Sequence, residues 1–246
     1  MMVIPKTIGI MKNYFLDQER SHIRIIHFSK ISVIINAVIA LGKIGMGIYS
    51  LSFFVCVNGL YNLGICLAKI IAIKGYSESV GLPIWSLNPL KKPTLDKQRN
   101  KNREFIYSYL VGIIVLISSI LYVIGSVRVF YGERGNIQYS GFMMVAVSVF
   151  AVAELIISLR GIRTTRKNGE PILEAIKKTC FISSLIAFVL VQTAILSRPG
   201  HEPNIYLDTV GVALGIASVF ISIHMIVSIY HNFHKLGNGK QMKQGI

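Results

Sequence analysis

Residues 105–127 read FIYSYLVGIIVLISSILYVIGSV and contain no charged side chain. At about 1.5 Å of rise per residue, a helix of this length spans roughly 34 Å. That is enough to cross a hydrocarbon layer about 30 Å thick, which takes some 20 apolar residues. The stretch therefore predicts a membrane-spanning helix.

Five further stretches have the same character. They are residues 31–49, 52–73, 141–159, 180–196 and 207–230. The 246-residue chain is 52% hydrophobic and 15% charged, with a mean hydropathy of +0.57. A soluble domain of this size would need more polar residues to cover its surface. We predict an all-α polytopic membrane protein, a six-transmembrane-helix bundle forming one domain over residues 31–230.

The 26 Lys and Arg residues are distributed unevenly among the connections. Five precede the first span, seven lie in residues 74–103, six in residues 160–178 and three after Tyr230, so 21 belong to one side. This is the positive-inside pattern, and it predicts that both termini are cytoplasmic in a multi-pass protein of the cell membrane. The formal charge of +15 is thus explained without nucleic acid.

The segments outside the bundle are short. Residues 1–30 are basic and mix apolar with charged positions, which fits either an interfacial helix or a partly disordered tail. Residues 231–246 form a short cytoplasmic tail. We expect the lipid bilayer to be the main partner, with anionic headgroups contacting the basic loops. A homodimer is a further hypothesis, and the sequence predicts no cofactor.

Polar residues inside the first two spans fall on helical stripes. Asn36 and Lys43 share one face of the first span, with Lys43 roughly 18 Å along the helix from its start. Asn58 and Asn62 are one turn apart in the second span, where Lys69 is expected to reach the interface. Because lipid offers no hydrogen-bond partners, these faces should point into the bundle. The two asparagines either bridge helices or line a polar path.

Two more polar residues complete the candidate polar path. Glu154 in the fourth span belongs either to a structural ion pair, with Lys43 or Asn36 as candidate partners, or to a proton- or cation-linked site. Gln192 in the fifth span is a single amide, which favours a packing contact. The sixth span carries a stripe of small residues that permits close helix approach, namely Asp208, Gly211, Gly215, Ser218 and Ser222.

Signatures of an enzyme or a metal centre are missing from the sequence. It contains no nucleophile elbow, phosphate loop or metalloprotease motif. The three cysteines lie in or beside spans without metal-ligand spacing, and we interpret them as small apolar residues. We therefore expect no catalytic residues and no bound metal.

The first two spans contain the pattern Asn36-x6-Lys43-x3-Gly47-x2-Ser50-Leu51-Ser52. With this spacing they resemble the opening of the cation diffusion facilitator family. Three other landmarks fit more loosely. They are Arg103-Glu104 before the third helix, Glu170-Pro171-Ile172-Leu173-Glu174-Ala175 before the fifth, and Leu207-Asp208 opening the sixth. The resemblance covers roughly residues 30 to 235 and implies six helices with both ends inside.

The metal-ligand positions of that family are not kept. Members of that family bind zinc or similar cations with a His or Asp and a further Asp four residues on, in helix two and again in helix five. This chain has Tyr61 and Ile65 at the first pair. At the second it has Ile176 and Cys180 or, in another register, Lys177 and Phe181. Hard or borderline divalent cations prefer carboxylate or imidazole ligands. Because about sixteen residues follow the sixth span, we also expect the chain to lack that family's cytoplasmic metal-binding domain.

Two functions follow from this pattern. The first is a secondary transporter with an altered substrate, in which Lys43 either favours anions or acts as a built-in cation. The alternative is a non-transporting membrane subunit or regulator that keeps the bundle and has lost the metal site. Polar stripes on two adjacent helices favour transport.

Overall fold

The computed structural model describes the central parts of the chain as helices. It covers residues 26, 29–45, 47–49, 53–80, 101–130, 171–196 and 205–244, together with residues 149, 152, 155–156, 158–163 and 165. All of these residues are helical, so within the described ranges the all-α prediction is confirmed.

Five long helices account for most of the described residues. They are α1 (Ser29–Tyr49), α2 (Phe53–Val80), α3 (Lys101–Phe130), α4 (Pro171–Leu196) and α5 (Ile205–Gln244). Proline suits the first position of α4 because the N–H it lacks would have no partner there, and Glu174 in the first turn complements the helix dipole.

Several helices are longer than the apolar stretches within them. Helix α2 continues seven residues past Ile73, and α5 continues to Gln244. Arg103 and Glu104 were expected to lie before a helix, from the resemblance to the family. They lie inside the first turns of α3. Residues 171–175, likewise a landmark before a helix, form the first turns of α4. The charged helix ends therefore belong to the folded bundle.

Four helices in the described part of the chain are long and apolar enough to cross a membrane. These are Ser29–Tyr49, Val55–Ser79, Asn102–Arg128 and Thr209–His234. The predicted span 180–196 lies within α4, which is not among the four. The predicted span 141–159 falls mostly outside the described residues. A multi-pass membrane protein is confirmed, whereas the count of six spans and the N-in, C-in orientation stay predictions.

The helices pack antiparallel around α2 and α3. At one end, here called the basic end, Gly75 of α2 lies against Tyr107 of α3 and Ile172 of α4. At the same end Phe105 of α3 makes an edge contact with Phe233 of α5, at 5.9 Å between ring centroids. The end of α2, the start of α3, the start of α4 and the later part of α5 therefore meet there.

At the other end, the opposite termini of the same helices meet. The Arg128 guanidinium lies 4.6 Å above the Phe53 ring, and Val57 packs against Gly125. The small-residue stripe of α5 allows close approach, as predicted from the sequence. A β-carbon added at Gly215 would lie 2.9 Å from Val123, and Ser218 and Ser222 are both fully buried.

The interior of the bundle is mainly apolar. Its core includes Tyr61, Ile65, Val111, Tyr122, Ile172, Ile176, Ile182, Ile186 and Met225. Large apolar side chains also lie on the outside: Val38 of α1 and Phe220 of α5 are both 67% exposed. An apolar outer surface suits helices surrounded by lipid, where the backbone must satisfy its own hydrogen bonds.

Candidate functional site

Helices α1 and α2 are in close contact along a single antiparallel interface. Contacts run in order from Gly47 with Cys56, through Ile44 with Gly59, to Cys66, whose Sγ donates to the Val33 carbonyl oxygen at 3.6 Å. The backbones approach closely because glycine has no side chain. A β-carbon at Gly47 would lie 2.5 Å from Cys56 Sγ and 2.7 Å from its amide nitrogen.

The interface joins Lys43 of α1 to Asn58 of α2. Lys43 Nζ donates a hydrogen bond to Asn58 Oδ1 at 2.9 Å. A lysine ammonium can only donate, so the amide oxygen must face it and the amide nitrogen must point elsewhere. Asn58 is 1% exposed, and its Nδ2 has no hydrogen-bond partner among the described residues. The contact therefore fixes the orientation of the Asn58 amide, and within the described residues its Nδ2 is a buried donor without a partner.

Asn36 adds a second buried amide on the same side of α1. Its side chain is 6% exposed, and within the described ranges its Nδ2 also has no partner. It lies two helical turns from Lys43. On α2, Asn62 is likewise buried, one turn from Asn58. The four residues that the sequence predicted on bundle-facing stripes thus all lie between the helices or at their margin.

Lys69 differs from the sequence prediction. It was expected to reach the membrane interface, but its side chain is fully buried and Nζ donates to Ser32 Oγ of α1 at 2.7 Å. The reason is that α2 continues for eleven residues beyond Lys69, so this lysine is not at a helix end. Neighbouring α1 covers it.

The other two candidate residues are not tested. Gln192 lies in α4, but its side chain is outside the described part of the structure, and Glu154 is outside it altogether. Their predicted place on the polar path stays a prediction. The pairing of Lys43 with a carboxylate at Glu154 is likewise open.

Residues at the family's metal-ligand positions form part of the apolar core. Tyr61 and Ile65 of α2 and Ile176 and Cys180 of α4 all belong to it. In the other register, Lys177 is buried, and its aliphatic carbons pack on Gly161. Within the described residues, no group of three or more His, Cys, Asp or Glu side chains could hold a metal ion.

A charged contact at the basic end was not predicted from the sequence. Tyr107 of α3 donates its hydroxyl hydrogen to Glu78 Oε2 of α2 at 2.8 Å, and Arg103 Nη1 lies 3.9 Å from the same oxygen. On α4, Lys178 and Glu174 pair at 2.6 Å, one turn apart. The sequence signal for the contact of Glu78 with Tyr107 is that Glu78 lies one helical turn after Gly75. This signal can be used only once α2 is known to continue past Ile73.

Comparison with known families identifies one match. The profile of the family described as the cation efflux transmembrane domain matches residues 101–236, more than half of the chain. The match includes all of α3 and α4 and most of α5, and it begins after the α1–α2 interface. Comparison with curated proteins finds no match, and comparison with solved structures finds none either.

Proposed function

The chain belongs to the cation efflux transmembrane domain family, and from this premise we propose that it is a secondary transporter whose solute is bound between α1 and α2. The family relationship supports a cation-transporter-like membrane protein and leaves the substrate open. The proposed path is lined by Asn36, Lys43, Asn58 and Asn62, with Glu154 and Gln192 as its further members.

The main support is the contrast between two helix interfaces. Between α2 and α4, the positions at which the family carries metal ligands are filled by buried apolar or thiol side chains. Between α1 and α2, buried polar groups accumulate, and the amide nitrogens of Asn36 and Asn58 lack partners among the described residues. An unsatisfied buried donor costs about 1–3 kcal/mol, so its retention favours a binding role.

A non-transporting subunit or regulator is the second candidate. It is favoured by the hydrogen bonds that already pair Lys43 with Asn58 and Lys69 with Ser32. Such bonds would also hold a closed bundle that carries nothing. They do not explain why the amide nitrogens of Asn36 and Asn58 have no partner in the part of the chain that the structure describes.

The proposal also covers the orientation of the chain in the membrane, its lack of enzymatic activity and its contacts with lipid. Both termini lie in the cytosol, with the basic end of the bundle on the cytoplasmic side. The chain has no enzymatic activity, and its basic loops contact anionic lipid headgroups. Formation of a homodimer is a further hypothesis, which chemical cross-linking in membranes can test.

A flux survey in proteoliposomes tests transport. Purified full-length chain is reconstituted, and uptake of divalent cations, monovalent cations and anions is compared with that of empty vesicles. We expect at least one solute to be taken up, and Lys43→Met and Glu154→Gln to reduce that uptake at least tenfold. Lys74→Met is the matched control, because Lys74 is exposed and lies in the last two turns of α2. If the uptake of every solute equals that of empty vesicles, the proposal that the chain is a transporter is wrong.

A further inference from the structure

We infer that α5 binds a second copy of this chain through its outward face, around His224. The outward face is defined here by Phe220, His224, Val227 and His231, which follow one another at steps of four, three and four residues along the helix. All four side chains are exposed. The inference goes beyond the proposed function, because it concerns how the chain associates and not what the chain carries.

The rotation of α5 in the bundle is fixed by the residues on its other side. Met225 and Ile229 are buried in the core, with exposed fractions of 1% and 8%. On the outward face, Phe220 is 67% exposed and Val227 is 58% exposed. His224 lies one turn from each of these two side chains and therefore points away from the core with them.

His224 also lies near the middle of the membrane-spanning part of α5. Helix α5 is antiparallel to α3, and Gly112 of α3 lies against Ile226 of α5. Arg103 and Arg128 lie at the two ends of the candidate span of α3. At 1.5 Å per residue, the level of His224 is about 16 Å from that of Arg103 and about 21 Å from that of Arg128. Lipid headgroups and bulk water at either surface are too distant to reach this imidazole.

An imidazole at this depth on an exposed face needs a hydrogen-bond partner. Acyl chains offer none, and ionisable side chains within membrane-spanning helices therefore almost always face protein groups or water. Histidine side chains form hydrogen bonds across helices in membranes. The position of His224 thus predicts that another protein helix lies against the outward face. Phe220 and Val227, one turn to either side, supply apolar surface for packing.

A second copy of the chain supplies the matching group at the right depth. A two-fold axis along the membrane normal leaves the depth of every residue unchanged, so the two copies of His224 lie at the same level. A neutral imidazole carries one N–H donor and one acceptor nitrogen, so two of them can form a hydrogen bond with each other. The outward face is therefore self-complementary, as a two-fold interface requires.

Oxidative cross-linking of single cysteines in the membranes of expressing cells tests the interface. The background is the full chain with Cys56, Cys66 and Cys180 replaced by alanine, and its unfolding temperature is checked against that of the original chain. In this background Phe220→Cys and Val227→Cys should each form a disulfide between copies when treated with copper phenanthroline. Electrophoresis without reductant measures the cross-linked fraction.

The matched control is Ile70→Cys on α2. Ile70 is 49% exposed, so a cysteine there meets the same lipid and the same oxidant. The contact of Gly75 with Tyr107 places Ile70 within about 3 Å of the depth of Val227. We expect the cross-linked fraction of Val227→Cys to exceed that of Ile70→Cys by about fivefold or more, because random collisions affect both positions alike.

The role of the imidazole is tested by energy transfer between donor-labelled and acceptor-labelled copies in vesicles. His224→Leu removes the hydrogen bond and should weaken dimerisation by about threefold or more. His224→Gln keeps a donor and an acceptor and should dimerise within about twofold of the original chain. Because the side chain is exposed, the unfolding temperature of the monomer in detergent should be the same for both variants.

Two results would overturn the inference. The first is cross-linking of Val227→Cys no stronger than that of Ile70→Cys, as expected if lipid, another segment of this chain or a different protein covers the face. The second is equal dimerisation of His224→Leu and the original chain. Cross-linking without flux of any solute would uphold the interface and reject transport, whereas flux without cross-linking would do the reverse.

Discussion

Lys69 of α2 is fully buried and donates a 2.7 Å hydrogen bond to Ser32 of α1. A charged group in that position requires a partner, because removing an acceptor from a buried ammonium exposes its full desolvation cost. The two residues are 37 positions apart in the chain, so the contact joins α1 to α2 near the start of α1.

Replacing Ser32 by alanine should therefore destabilise the bundle. The change removes the hydroxyl acceptor and adds no atom to the buried site, and we expect the free energy of unfolding to fall by about 1–3 kcal/mol. Unfolding of the purified chain in mixed detergent micelles measures this. Adding Lys69→Met to Ser32→Ala removes the buried charge as well and should recover most of the loss. A neutral effect of Ser32→Ala alone would contradict the role given to the contact.

Gly47 should not tolerate alanine, whereas nearby Gly42 should. A β-carbon at Gly47 would lie 2.5 Å from Cys56 Sγ and 2.7 Å from Cys56 N, and the backbone atom cannot turn aside as a flexible side chain would. Overpacking of this kind costs about 1–3 kcal/mol. At Gly42 nothing lies within 4 Å of the added carbon, and alanine favours helix by up to about 1 kcal/mol. Equal unfolding temperatures for the two variants would mean that α1 and α2 do not pack as described.

The contacts of Glu78 should contribute little to stability. Arg103 and Glu78 are 58% and 34% exposed in their side chains, and exposed ion pairs are worth about 0–1 kcal/mol. We expect Glu78→Gln, which keeps an acceptor for the Tyr107 hydroxyl, to change the free energy of unfolding by less than about 1 kcal/mol. The small effect should shrink further in high salt. A loss of several kcal/mol would show that this contact is more shielded from water than its exposure indicates.

Zinc should not stabilise the chain. The family's ligand positions are occupied by Tyr61, Ile65, Ile176 and Cys180 in the apolar core, which offers no set of carboxylate and imidazole ligands. Thermal unfolding with and without micromolar Zn²⁺ should give the same midpoint within about 1 °C, since a ligand at 100 times its Kd would add about 2.7 kcal/mol. Saturable stabilisation that is abolished in Cys180→Ser would prove this expectation wrong.

Labelling of single cysteines in intact cells tests the orientation. A cysteine introduced at Gln98, in the basic connection between α2 and α3, should react with a membrane-impermeant maleimide only after the cells are opened. One at Gly135, after α3, should react from outside. The positive-inside distribution requires this result. Labelling of Gln98→Cys in sealed cells would show that the topology is the opposite of the predicted one. The basic end would then not lie on the cytoplasmic side.

Much of the fold was predictable because its signals are local. The stretch at residues 105–127 has the length and hydropathy of a span, and it lies inside α3. The glycine and serine stripe of α5 predicted a close approach, which Gly211 and Gly215 make with Val189 and Tyr122. The expectation that Asn36 and Asn58 face inward was confirmed, because a 3.6-residue period places a stripe on one side of a helix regardless of its neighbours.

The sequence by itself determined that this chain inserts in a membrane as a set of helices and which face of each helix is polar. Hydropathy and helical period are properties of single segments. Only the tertiary structure decided that Asn58 turns its oxygen to Lys43, that α1 covers Lys69, and that the α2–α4 interface is apolar. Those contacts depend on the register and rotation at which two helices pack, and neither helix specifies them alone.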